Sequence, residues 1–218
     1  TYCFNNSVNY YNDVYKPPCY KRNKGRALIL WKRKLYRIVM GGLAPGIYLL
    51  TADPLIPACI CGFFLFWLLL MEFERYLHPG FWAWLLKHSP GIFKTRPGVL
   101  TGDTNFMIAS FLSILYFPYP VAVSNLLFLA FGDAASALVG SKYGRLRIFP
   151  GKTVEGMMAG IGINLILAFI LAGYFLISFE ILLIGVLLGS ILEVLPLNID
   201  DNLTVGLIPG IVMTGFYL

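Results

Sequence analysis

Charged residues are scarce in this 218-residue chain: they make up 13% of it, against roughly 25% in globular proteins. Only four cysteines are present, and two of them, Cys59 and Cys61, lie inside an apolar run, so no disulfide-stapled secreted domain is expected. With 58% hydrophobic residues, the composition also excludes a disordered chain and a soluble basic nucleic-acid-binding protein. The net charge is nevertheless +6, which predicts a polytopic membrane protein with its positive charge concentrated on one side.

Apolar runs predict an all-α fold with about seven transmembrane helices. A spanning helix needs about 20 mostly apolar residues, and fewer where the bilayer thins. Four of the seven segments, the first, third, fourth and last, are shorter than that. The fourth segment continues directly into Gly132 and Asp133, so we expect a polar turn there. The seven segments are Ile38–Leu50, Leu55–Met71, Asn105–Phe117, Val121–Phe131, Val154–Ala172, Phe179–Leu195 and Leu207–Leu218.

The basic residues predict the orientation of these segments. All 17 Lys and Arg residues fall before the first segment, between the second and third, or between the fourth and fifth, which places them on one face. The positive-inside rule makes that face cytoplasmic, so the N-terminus is predicted to be cytoplasmic too. We expect an integral, multi-pass protein with residues 1–27 as a cytoplasmic tail and 28–218 as one transmembrane catalytic domain. Tryptophans beside basic residues predict an interfacial segment over 73–100.

The stretch after the fourth segment carries the first candidate site. Asp133 and Gly140 are two helical turns apart, so they share a face of a small-residue helix, in which Ala134–Ala137 allow close approach of another helix. Gly144 follows, with Lys142 and Lys152 nearby. Thr153 and Glu155 lie at the start of the next helix, whose N-terminal amides attract anions. All of these residues lie within residues 131–156 of the sequence. A carboxylate, a glycine-containing loop, a cationic cluster and a helix N-terminus are the parts that bind a polyphosphate with a divalent metal. We therefore predict a nucleotide-binding loop over 132–153, although a positive-inside loop with turn glycines has the same composition.

An acidic cluster at the end of the sixth segment favours the functional interpretation. Glu193, Asp200, Asp201 and Asn202 stand where a positive-inside face should carry Lys or Arg, and no basic residue follows Lys152. Such oxygen-rich clusters favour hard metals such as Mg²⁺.

Four fragments together make the chain resemble the CTP-dependent lipid kinases, the family of dolichol kinase, phytol kinase and CTP-using diacylglycerol kinase. They are Arg33-Lys34, Gly132-Asp133 with Gly140 and Gly144, Lys152-Thr153-x-Glu155-Gly156, and Glu193 with Asp200-Asp201-Asn202-Leu203-Thr204. The second and third fragments are shared with CDP-diacylglycerol synthases, whereas the fourth points to kinases. The chain departs from the family at Gly206, where a proline is common.

The resemblance implies a membrane kinase that transfers the γ-phosphoryl group of CTP to the hydroxyl of a polyprenol, phytol or diacylglycerol. It implies catalytic roles for Asp133, Lys152, Asp201 and Glu193, and a metal site for Mg²⁺ or another divalent cation at Asp133, Asp200 and Asp201. The predicted nucleotide-binding residues are Lys142, from the cationic cluster of the loop, and Arg33, Lys34, Gly140, Gly144, Lys152, Thr153, Glu155 and Asn202, from the motifs of the resemblance.

The expected partners are a lipid alcohol, a nucleoside triphosphate and membrane lipids, without nucleic acid and with a homo-oligomer left open. Two other functions also fit the sequence. A CTP-dependent cytidylyltransferase would act on a phospholipid, and a non-enzymatic transporter would carry an anionic lipid or nucleotide past the same charged residues.

Overall fold

The structure is a computed structural model that describes residues 24–78, 80–81, 84, 88, 99–149, 151–197 and 199–218, with the backbone alone for 24–34 and 36–37. These residues form seven helices and one small β-hairpin. The helices are α1 (Lys24–Thr51), α2 (Leu55–Leu77), α3 (Gly102–Tyr116), α4 (Tyr119–Tyr143), α5 (Val154–Phe175), α6 (Phe179–Val194) and α7 (Asp201–Tyr217). The hairpin pairs β1 (Arg147–Phe149) with β2 (Lys152–Thr153) in antiparallel register between α4 and α5.

The predicted all-α class is confirmed, and each of the seven predicted segments coincides with one helix. Three helices, α2, α4 and α5, are long and apolar enough to cross a membrane, which is consistent with a membrane protein. The apolar part of α1, Ile38–Thr51, is shorter. The count of about seven spans and the cytoplasmic N-terminus stay predictions.

Helix α4 is the centre of the bundle and packs against α1, α3, α5, α6 and α7. Every residue from Val121 to Ala130 is buried, as expected of a helix that is surrounded by others. Of its most apolar 18 residues 67% are buried, compared with 22% for α2 and 28% for α5. The outer faces of α2 and α5 instead expose large apolar side chains, including Phe63, Phe66 and Phe169. Such exposed apolar faces are typical of surfaces that meet lipid.

The polar turn predicted at Gly132-Asp133 is wrong, whereas the small-residue helix predicted through Asp133 and Gly140 is present. Helix α4 continues without interruption to Tyr143, so residues 132–143 of the predicted 132–153 loop are helical. The non-helical connection begins only at Gly144 and continues through the hairpin. Gly132 is compatible with the helix because Ala134 and Ala135 are strong helix formers and because α5 packs directly against it.

Most of the predicted N-terminal tail and most of the predicted interfacial segment lie outside the described residues. Residues 1–23 of the predicted tail are among them, whereas the rest of the tail, 24–27, begins α1. In the predicted 73–100 segment, α2 extends to Leu77, and the exposed rings of Phe81 and Trp84 stack with centroids 6.0 Å apart. Of the remainder of that segment, the structure describes residues 78, 80, 88, 99 and 100.

A buried ion pair joins the end of α2 to the start of α3. Glu72 Oε2 lies 3.0 Å from Arg75 Nη1, and both side chains are almost completely buried. Glu72 Oε1 accepts a hydrogen bond of 2.6 Å from the backbone N–H of Thr101, the N-cap of α3, and Arg75 donates one of 2.8 Å to the Val99 carbonyl. The pair therefore fixes where the chain returns to the bundle after the 73–100 segment.

Candidate active site

A narrow polar cavity lies between α4, α5, α6 and α7. The space open to a water-sized sphere is about 20 Å³, which is room for one or two water molecules. Three carboxylates and several amides face it from four helices. Its lining consists of Asn125, Phe128, Leu129, Asp133, Asn164, Gly185, Gly189, Ser190, Glu193, Asp201, Asn202 and Val205.

Lys152 reaches this cavity from the hairpin and contacts two of the carboxylates. Its Nζ lies 3.2 Å from Glu193 Oε1 and 3.5 Å from Asp201 Oδ2. On the other side of the glutamate, Ser136 Oγ donates a hydrogen bond of 3.4 Å to Glu193 Oε2. Burial of the ammonium acts to lower the pKa of Lys152, but the negative charges of Glu193, Asp201 and Asp133 outweigh burial and raise that pKa above its usual value. Lys152 is therefore positively charged at neutral pH.

Acidic side chains predominate at the cavity. Asp133, Glu193 and Asp201 line it, and Lys152 contacts two of them, Glu193 and Asp201. Carboxylate oxygens are ligands that hard cations such as Mg²⁺ prefer.

The donor set fits Mg²⁺ only in company with a phosphate ligand. In the part of the chain that the structure describes, no three His, Cys, Asp or Glu side chains stand close enough to hold a metal ion by themselves. Mg²⁺ in phosphate-transferring sites is commonly bound through one or two carboxylates together with substrate phosphates and water. The oxygen-only chemistry of Asp133 and Asp201 suits that arrangement.

Asp200, a predicted metal ligand, has a structural role at the start of α7. Its Oδ1 accepts hydrogen bonds from the backbone N–H of Asn202 at 3.0 Å and from Asn202 Nδ2 at 2.7 Å, so it caps the helix. Asn202 is buried, and its Nδ2 also donates to Asp201 Oδ1 at 3.4 Å. Together, Asp200 and Asn202 orient Asp201, which lines the cavity while Asp200 does not.

Thr153 and Glu155, both predicted to bind nucleotide, make contacts within the hairpin region. Thr153 Oγ1 caps α5 by accepting a hydrogen bond of 3.2 Å from the Gly156 N–H. Glu155 Oε1 accepts hydrogen bonds from the backbone N–H groups of Arg145 at 3.0 Å and Leu146 at 3.2 Å. These two side chains stabilise the hairpin that carries Lys152 and do not line the cavity.

The glycines predicted to expose backbone to a nucleotide instead allow α4 and α5 to pack closely. A Cβ at Gly140 would lie 2.9 Å from Thr153 Oγ1, and one at Gly144 would lie 2.7 Å from Thr153 Cγ2. Further along the same contact, a Cβ at Gly156 would lie 2.6 Å from the Ser136 carbonyl oxygen. Small residues at four-residue spacing on each helix are typical of close helix packing in membranes. The small-residue face of α4 consists of Gly132, Ser136 and Gly140, with Gly144 directly after the helix, and that of α5 consists of Gly156 and Gly160.

The other predicted nucleotide-binding residues lie away from the cavity or outside the described side chains. Lys142 is exposed in the last turn of α4, and its Nζ lies 4.9 Å from the centroid of the Tyr143 ring. The backbone of Arg33 and Lys34 belongs to α1, which packs against α4, but their side chains are not among those described.

Several polar residues of the site were missed by sequence reasoning. Asn125, Ser136, Asn164 and Ser190 lie inside apolar helices yet line the cavity or contact Glu193. Amides and hydroxyls within predicted spans are themselves a signal, because polar groups at membrane depth are usually retained for packing or function.

Gly206, where the chain departs from the resembled family, is required by packing. A Cβ there would lie 2.6 Å from Ala109 Cβ on α3. Its carbonyl oxygen accepts hydrogen bonds from Asn125 Nδ2 at 2.6 Å and Ser113 Oγ at 3.0 Å. These contacts fix α7, and with it Asp201, against α3 and α4.

Comparisons with known proteins found no matching family model, no matching curated protein and no matching solved structure.

Proposed function

We propose that this protein is a multi-pass membrane lipid kinase that transfers the γ-phosphoryl group of CTP to the hydroxyl of a lipid alcohol. The observation that carries the proposal is the position of Lys152 between Glu193 and Asp201, at a cavity that Asp133 also lines. A positive group among carboxylates, inside a bundle with apolar outer faces, suits a reaction between a polyphosphate and a lipid. The choice of CTP, and of a polyprenol, phytol or diacylglycerol as acceptor, follows the sequence resemblance.

Phosphoryl transfer depends mainly on positioning and on neutralisation of charge. Lys152 is suited to neutralise the transferring phosphoryl group, and Asp133 and Asp201 are suited to hold Mg²⁺ beside it. When bound, Mg²⁺ neutralises charge on the β- and γ-phosphates. The resemblance adds Arg33 and Lys34 as further phosphate ligands.

The chemical step forms one bond and breaks one. The hydroxyl oxygen of the lipid bonds to the γ-phosphorus while the bond from that phosphorus to the bridging oxygen breaks, and the nucleoside diphosphate leaves with the electron pair. The hydroxyl proton passes to a carboxylate of the cavity, for which Glu193 and Asp201 are the two candidates. Basic residues on one face of the predicted spans support a cytoplasmic position for this site.

The test uses the purified full chain in lipid nanodiscs with Mg²⁺ and CTP labelled at either the γ or the α phosphate. Polyprenol, phytol, diacylglycerol and phosphatidic acid are offered as acceptors, and ATP, GTP and UTP are compared with CTP. We expect label in the lipid from γ-labelled CTP and none from α-labelled CTP.

The alternatives give different results in the same experiment. Label transferred only from the α position to phosphatidic acid would replace the kinase with a cytidylyltransferase. A lack of covalent label with any nucleotide and acceptor, together with uptake of nucleotide into proteoliposomes, would replace it with a transporter.

A further inference from the structure

The carboxylate of Glu193 is held from both sides by side chains of other elements. Its Oε1 lies 3.2 Å from Lys152 Nζ, and its Oε2 accepts a hydrogen bond of 3.4 Å from Ser136 Oγ. The side chain is 16% exposed. Asp201 makes longer contacts, 3.5 Å to Lys152 Nζ and 3.4 Å to Asn202 Nδ2, and its side chain is 46% exposed. A substrate hydroxyl therefore has better access to Asp201 than to Glu193.

The packing of α5 against α4 fixes the Ser136 hydroxyl in its place beside Glu193. A Cβ at Gly160 of α5 would collide with Ser136 Oγ, and one at Gly156 would lie 2.6 Å from the Ser136 carbonyl oxygen. These two glycines leave the space that the serine occupies. The hydroxyl is thus enclosed between two helices and reaches Glu193 at the end of a third, α6.

Lys152 needs such an anchor because its own backbone does not hold the ammonium. It belongs to a strand of two residues, directly after the turn at Gly151, whose φ is +85°. A lysine side chain is long and flexible, and it loses rotamer entropy when it is kept in one position. Glu193 lies in the last turn of a helix, so it provides a rigid partner for the ammonium.

We propose that Glu193 is a positioning residue, which Ser136 holds in place and which in turn fixes the Lys152 ammonium at the cavity. Glu193 then takes no proton from the lipid hydroxyl, which leaves Asp201 of the two candidate acceptors. This inference rests on the proposed function, because it separates the roles of two carboxylates in that reaction.

The first test separates positioning from proton transfer. The amide oxygen of Glu193→Gln still accepts a hydrogen bond from Lys152, but the amide does not act as a base. We expect this variant to keep kcat for lipid phosphorylation within about fivefold of the wild type, since a charged acceptor is replaced by a neutral one. Glu193→Ala removes the anchor and should lower kcat by about 10- to 100-fold. Equal losses in the two variants would overturn the inference.

A double-mutant cycle shows whether Glu193 acts through Lys152. A residue that only positions Lys152 has little left to do once the ammonium is gone, so Glu193→Ala should lower kcat less than about threefold in a Lys152→Met background. A proton acceptor would lower kcat by the same factor in both backgrounds. That multiplicative result would overturn the inference.

Ser136→Ala tests the other contact of Glu193. Loss of one neutral hydrogen bond should lower kcat by about threefold, and the same change should have no further effect in a Glu193→Ala background. Ser124→Ala is the matched control, because Ser124 is a fully buried serine of the same helix that does not line the cavity. It should keep the kcat of the wild type. An equal effect of Ser136→Ala with and without Glu193 would overturn the role of the serine.

The wild type distinguishes failure of the inference from failure of the proposed function. A wild type that phosphorylates lipid, with multiplicative losses in the Lys152 and Glu193 cycle, would overturn the inference alone. A wild type that transfers no γ-phosphoryl group to lipid would overturn the proposed function, and the assignment of Glu193 would fall with it.

Discussion

Lys152 Nζ lies 3.2 Å from Glu193 Oε1, although 41 residues separate them in the chain. The contact exists because α5 and α6 are packed as consecutive helices, which brings the start of α5 beside the end of α6. Lys152 comes just before α5, and Glu193 lies in the last turn of α6. The pair therefore closes the polar cavity at the hairpin.

Replacement of Lys152 tests the positive charge at this position. Lys152→Met removes the ammonium that lies beside Glu193 and Asp201, so we expect kcat for lipid phosphorylation to fall at least about 100-fold. Lys152→Arg keeps the charge but not the geometry of the ammonium, so its activity should be intermediate. The measurement is transfer of label from γ-labelled CTP under saturating substrates.

Arg147→Met is the control for this prediction. Arg147 is an exposed cation on the other strand of the same hairpin. Its loss should change kcat by less than about twofold. Equal losses in the Lys152 and Arg147 variants would mean that general surface charge, and not the cavity contact, supports activity.

Asp133→Asn tests the carboxylate on α4. The change keeps the size of the side chain but removes a charge that we propose helps to hold Mg²⁺, so lipid phosphorylation should fall at least about 100-fold and need a higher Mg²⁺ concentration. The measurement is initial rate against Mg²⁺ concentration. Asp53→Asn is the control, because Asp53 Oδ1 accepts a hydrogen bond of 2.9 Å from Leu55 N–H just before α2 and does not line the cavity. Normal phosphorylation by Asp133→Asn would contradict the assignment.

A methyl group at Gly156 should separate α4 from α5. The Cβ of Gly156→Ala would lie 2.6 Å from the Ser136 carbonyl oxygen, and such overpacking costs about 1–3 kcal/mol of unfolding free energy. We expect a lower midpoint of thermal unfolding in detergent. Gly162→Ala, on the same helix, meets nothing within 4 Å and should leave the midpoint unchanged or slightly raised. Equal midpoints for the two variants would show that the helices do not pack as described.

The two ion pairs at the end of α2 should contribute very differently to stability. Arg75→Met leaves Glu72 buried without its 3.0 Å counter-charge, and breaking such a pair costs about 3–5 kcal/mol. Glu74→Gln removes an exposed pair with His78, whose loss should cost less than about 1 kcal/mol. Thermal unfolding of both variants provides the comparison. A smaller loss in Arg75→Met than in Glu74→Gln would contradict the burial of the Glu72 pair.

The apolar runs and their lengths were sufficient to predict the seven helices, although not where each one begins and ends. Runs such as Leu55–Met71 and Val154–Ala172 must satisfy their backbone groups internally in an apolar environment, and a helix does this within one segment. The acidic residues near the ends of the helices likewise marked Asp133, Glu193 and Asp201 as candidates, and all three line the cavity.

Glycine was the main source of error. The nucleotide-binding loop predicted over 132–153 includes Gly132, Gly140 and Gly144, but the first two lie in α4. Their purpose depends on a neighbouring helix, since a Cβ at Gly140 would meet Thr153. The four-residue spacing of Gly132, Ser136 and Gly140 is a local signal for close helix packing, but which helix packs there depends on the tertiary structure.

The sequence by itself determined the helical class, the segregation of basic residues and the carboxylates of the site, because these depend on composition and local spacing. Only the tertiary structure decided which of those residues meet. It separated Asp201, which contacts Lys152, from Asp200, which caps α7, although the two are adjacent. It also brought Asn164 to the cavity, because the packing of α5 on Gly132 sets which face of that helix is enclosed.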